Sequence, residues 1–104
     1  MMKNSVIELI LKIKECPGMY IGTVSVERLR IFLEGYFHAM RENGLDCEKD
    51  AYDEFNKWFR NKYQITDSIL WDRYLSDTIH DQNEAFNTFM REFEMFLDQK
   101  QLLK

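Results

Sequence analysis

Two histidines, two cysteines and one run of alternating carboxylates are the side chains through which this chain could do chemistry. A Cys–His pair would supply a nucleophile and its base. However, Cys16 precedes Pro17 in what reads as a packed connector, and nothing in the spacing brings it to His38 or His80. Both thiols are expected to be reduced and mostly buried, because two cysteines without a CxxC pair make no disulfide framework. Zinc sites need closely spaced His and Cys ligands, and neither HxxxH nor HExxH occurs. Asp46, Glu48 and Asp50 alternate as in a calcium loop. Such a loop requires Gly at its sixth position and Glu at its twelfth, where this chain has Ala51 and Lys57. Gly18 and Gly22 are separated by bulky residues and lack a following Lys-Ser/Thr, so no phosphate-cradling loop is legible. The expectation is a protein without catalytic residues, metal or cofactor, and not an enzyme.

Composition points to a protein that binds rather than reacts. The chain has 104 residues, 45% of them apolar, with eight Phe, five Tyr and two Trp. That is enough for one hydrophobic core and too aromatic for a disordered chain. Its net charge of −4 is uneven: +2 over residues 1–41, −8 over 42–98 and +2 over 99–104. Nucleic-acid binding needs clustered Lys and Arg, so a direct nucleic-acid partner is not expected. An acidic face suits a basic protein. The opening stretch MMKNSVIELILKIKE is interrupted by Glu8, Lys12 and Lys14 and has no small-residue cleavage site. No apolar run is long enough to span a membrane, and the expected location is the cytoplasm.

The elements that would position these residues read as helices. Only four Gly and one Pro punctuate the chain, which favours long helices over many short strands. A first helix, capped by Asn4 or Ser5, carries Val6, Ile7, Ile10, Leu11 and Ile13 and stops before Pro17. Residues 16–22 (CPGMYIG) read as a connector with Met19, Tyr20 and Ile21 tucked against the core. The second helix, capped by Thr23 or Ser25, shows Leu29, Phe32, Leu33, Tyr36, Phe37 and Met40 at helical spacing. Gly35 within it is best explained by close approach of a neighbouring helix. A third helix over about residues 51–62 presents Tyr52, Phe55 and Phe59. A fourth follows a cap at Asp67 or Ser68, and a fifth starts at residues 81–83 with Phe86, Phe89, Met90, Phe93, Phe96 and Leu97. The predicted fold is a single all-α domain over residues 1–104, a compact bundle of about five helices.

The stretch PGMYIG, residues 17–22, resembles a segment near the start of the ATPase domain of type II topoisomerase B subunits. That domain also needs an Asn-bearing ATP-binding helix and glycine-rich lid motifs, which this chain lacks, so the likeness is local and ATP binding is excluded. A second resemblance covers most of the chain. PGMYIG is followed by LRIFLEGY at 29–36, FNKW at 55–58 and an aromatic-rich helix from Phe86 to Phe96. The pattern resembles small bacterial immunity proteins encoded beside toxin genes, including those of contact-dependent growth inhibition systems. Cys16 stands where that pattern usually has Arg, which puts any role of the basic residue in doubt.

The resemblance implies a protein that binds a cognate toxin domain delivered into the cytoplasm and covers its active site. Such toxins are commonly nucleases, often cleaving tRNA, with basic clefts. Candidate toxin-binding residues are Asp46, Glu48, Asp50, Asp53 and Glu54, with Asp67, Asp72, Asp77 and Asp81 as a second acidic surface. Trp71 is the candidate anchor, since it follows Ile69 and Leu70 and is not expected to share the core with both. The alternative is a non-catalytic adaptor or regulatory subunit that holds a protein partner, or a second copy of itself, in an apolar groove lined by Trp58, Trp71 and Tyr74.

Overall fold

The computed structural model describes residues 5–100 and is all-α. Six helices follow one another among these residues: α1 (Val6–Glu15), α2 (Pro17–Ile21), α3 (Val26–Glu42), α4 (Lys49–Lys62), α5 (Trp71–Thr78) and α6 (Gln82–Gln99). Three start at side-chain caps that satisfy otherwise orphaned backbone amides. Ser5 Oγ accepts from Ile7 N–H, Ser25 Oγ from Arg28 N–H and Asp81 Oδ1 from Glu84 N–H. The other proposed cap of α1, Asn4, lies outside the described residues.

Helix α6 is the centre of the bundle. Nine of its residues are buried, and it packs on α3, α4 and α5, while α1 lies against α2 and α4. The core is aromatic. Phe55 of α4 meets Phe89, Phe93 and Phe96 edge-on at centroid distances of 5.4, 5.3 and 5.6 Å, the arrangement that ring quadrupoles favour. Val6, Ile10, Ile13, Leu29 and Leu33 complete it from α1 and α3.

Two polar pairs tie the helices within this apolar frame. Asp72 of α5, only 6% exposed, accepts from Arg30 Nε of α3 at 2.8 Å. Glu92 of α6, equally buried, accepts from Lys62 Nζ at 2.7 Å and from Tyr63 O–H at 2.6 Å. Lys62 also lies over the Trp58 ring, 5.1 Å from its centroid.

Several expectations need correcting. Residues 17–21 are a short helix, because Pro17 at its first position has its dihedral preset for helical backbone. Gly22, at φ +81°, then ends it. One turn of helix cannot turn all its side chains inward. Ile21 is buried and Tyr20 packs edge-on to Phe32, but Met19 is 80% exposed and Cys16 is exposed as well. Gly35 has open space around it and faces solvent, so no neighbouring helix among the described residues uses its missing side chain.

Helix α5 starts at Trp71, later than a cap at Asp67 or Ser68 would place it. Arg60 gathers the preceding connector around its guanidinium, donating to the carbonyls of Ile65, Asp67 and Ile69, and keeps it out of helix. That leaves Ile69 half-buried and Leu70 exposed, and it sends Trp71 inward.

An acidic loop as candidate binding surface

The chain leaves α3 through a tightly determined turn. Leu45 N–H bonds back to Met40 C=O and Gly44 N–H to Arg41 C=O, with Gly44 at φ +66°. This is the paired hydrogen-bond pattern that ends helices at a left-handed glycine. Asp46 Oδ1 then accepts from Glu48 N–H at 2.9 Å, closing an Asx turn. Cys47 is buried, and its carbonyl accepts from Val6 N–H at 2.9 Å, which docks the loop on the start of α1. Glu48 takes left-handed backbone at φ +61°, and α4 begins at the next residue. Lys49 places its ammonium over the Phe37 ring and pairs with Asp53 at 3.0 Å.

The result is a short acidic prominence on a fixed backbone. Asp46, Glu48, Asp50, Asp53 and Glu54 are all exposed within nine residues that hold a single basic side chain, Lys49. Leu45 stands at its edge with 48% of its surface exposed. Apolar side chains ringed by polar groups are the usual anatomy of a protein-binding patch.

Of the second expected acidic surface, Asp72 alone is withdrawn from solvent, while Asp67, Asp77 and Asp81 are exposed. Asp72 is buried against Arg30, and Asp77 is paired with Arg73 at 3.2 Å. Asp81 caps α6, and Asp67 caps its own turn by accepting from Ile69 N–H. Asp67, Asp77 and Asp81 are exposed, but each has a local structural role. Trp71 is no surface anchor. It is 1% exposed, stacks on Phe89 at 4.2 Å and donates its indole N–H to Tyr52 Oη at 2.8 Å.

The proposed aromatic groove is also occupied from within. Trp58 packs on Phe55 and Phe96 and donates to Gln99, while Tyr74 packs on Phe59 and Tyr63. An apolar groove does exist elsewhere, between residues 18–22 and α3. Arg28, Ile31 and Phe32 line it, with Met19 and Ile31 the most exposed large apolar side chains among the described residues. Nothing in the sequence marks it, because Ile31 lies off the α3 core stripe and a packed connector would place Met19 inside.

Of the residues first considered for chemistry, His38 is exposed and lies 3.3 Å from an Arg41 nitrogen, and His80 is exposed in the α5–α6 connector. Burial, reinforced by Asp46, pushes the Cys47 thiol up, away from the reactive thiolate. Among the described residues no three His, Cys, Asp or Glu side chains group as metal ligands, and no helix is long and apolar enough to cross a membrane. In comparisons with known proteins, the chain matches no family model, no curated protein and no solved structure.

Proposed function

We propose that this protein is a non-catalytic inhibitor of the immunity class, which binds a cognate toxin domain in the cytoplasm and covers its basic active-site cleft with residues 45–54, the α3–α4 loop and the start of α4. The reading rests on one observation: five exposed carboxylates and an exposed leucine are carried on a backbone fixed by a helix-terminating turn, an Asx turn and the docked Cys47. A basic cleft built for phosphates attracts such a loop over long range, and a preformed loop loses little conformational entropy on docking. The likeness of PGMYIG, LRIFLEGY and FNKW to immunity proteins of contact-dependent growth inhibition supports the same reading. It makes a nuclease, such as one that cleaves tRNA, the toxin of choice.

The test begins with the neighbouring gene: the proposal requires it to encode a large secreted protein with a variable C-terminal domain, and that domain is then co-expressed with this chain. Growth should be rescued and the two should co-purify; a toxin that kills equally well in its presence rejects the proposal. The adaptor reading is favoured by one feature, the Met19–Ile31 groove. Partner binding that ignores salt would select it over charge-driven capture.

A further inference from the structure

Helix α3 carries an outward stripe that none of the described residues covers. Arg28, Gly35 and Glu42 recur at seven-residue spacing on it, with Ile31 and Ala39 between them, and all five are exposed. Gly35 is costly inside a helix, and the open space around it shows that no packing among the described residues exploits its small size. Ile31 is 55% exposed, and the groove at its side opens to Met19, which is 80% exposed. The stripe has a basic end and an acidic end. Arg28 is held at the basic end by donating its Nε to Ile21 C=O at 2.7 Å, and its outer nitrogen lies over Gly22.

We infer that this face binds a second copy of the same chain, with the two α3 helices crossing antiparallel about Gly35. A two-fold axis at Gly35 sets the glycines against each other, so the backbones approach closely. It sets Ile31 against the second copy's Ala39, and Arg28 against the second copy's Glu42. Both charge pairs are opposite in sign, and both form from one symmetry operation. A parallel pairing would oppose like charges at each end. Met19 flanks the apolar centre and is covered by the crossing helix. The surface is distinct from residues 45–54, so the inference does not rest on the toxin-binding proposal.

Sedimentation equilibrium of the full chain alone, from micromolar to millimolar concentration, tests it. A monomer–dimer equilibrium is expected. Gly35→Gln should abolish the dimer while raising the thermal midpoint of the monomer, because it improves helix propensity in open space. Glu42→Arg should weaken association at least about tenfold, and Arg28→Glu combined with Glu42→Arg should restore it. A monomer at every concentration overturns the inference, and so does a dimer that Gly35→Gln leaves intact. A double charge swap no better than Glu42→Arg overturns it too, provided the melt shows both variants folded.

Discussion

Trp71 shows how much one side chain's environment decides. Its indole stacks on Phe89 and its N–H bonds to Tyr52 Oη, itself only 3% exposed. Trp71→Phe keeps a ring against Phe89 but removes the donor and leaves a smaller ring in a filled space. It should cost about 1–3 kcal/mol in urea unfolding, while toxin association, measured on the folded variant, stays unchanged. A loss of binding without loss of stability would make the indole a contact residue after all. The tyrosines carry a second prediction. Burial raises Tyr52 to about 12, and burial with the Glu92 carboxylate does the same for Tyr63, from an ordinary value of 10.0. A phenol that keeps its proton in the fold but loses it near pH 10 when unfolded contributes stability that is intact below that pH. The contribution disappears as pH rises toward about 12. Stability should therefore fall more steeply with alkali in the native chain than in the Tyr52→Phe/Tyr63→Phe variant. Parallel curves would assign the fall to other groups.

Among the elements, the pairing of α3 with α5 depends on a buried charge pair inside an apolar contact. Arg30→Ala removes the cation that Asp72, only 6% exposed in the native fold, is paired with. Because the Arg30 side chain is itself 26% exposed, water can partly replace it, and the expected loss is about 1–3 kcal/mol. Arg30→Met with Asp72→Leu should recover most of that. A double-mutant cycle by chemical denaturation measures the coupling, and additive losses would mean that the pair contributes nothing. This tie was not legible in the sequence, since it joins residues 42 apart and neither side chain looks unusual locally. Glu92 left a fainter trace, lying on the same face of α6 as Phe89, Phe93 and Phe96. What the sequence did reveal was periodic or local. The Leu29–Leu33–Phe37 stripe and the Phe86–Phe96 stripe form as their spacing predicts, Ser5 and Ser25 are each one of the two caps expected for their helices, and α6 begins at Gln82, within the expected range. The sequence failed where tertiary contacts decide. Arg60 delays α5 to Trp71, and a single turn at residues 17–21 shows Met19 to solvent. At the candidate site, Asp46, Glu48, Asp50, Asp53 and Glu54 were readable because one short exposed stretch holds them. The burial of Asp72 depends on a partner 42 residues away and was not.

For the whole molecule, charge distribution makes the strongest claim. The basic excess lies toward the two ends of the sequence and the acidic excess over residues 42–98, of which residues 46–54 are the densest exposed part. Fields of this kind act before contact, so they govern how fast partners meet more than how long they stay together. Replacing Asp46, Asp50 and Asp53 with Asn, and Glu48 and Glu54 with Gln, should slow association with the toxin domain about ten- to a hundredfold at low salt. Dissociation should change far less. The fold should survive, because Asp46→Asn keeps a side-chain oxygen for the Asx turn and the Lys49–Asp53 pair is exposed and worth little. The native association rate should drop steeply with added salt while that of the neutralised variant stays nearly flat. Leu45→Ala should do the reverse, speeding dissociation while leaving association and its salt dependence in place, since an apolar anchor acts only after contact. Stopped-flow mixing at several ionic strengths separates the two effects. If the neutralised variant associates at the native rate, the toxin is captured elsewhere, and the Met19–Ile31 groove becomes the surface to mutate next.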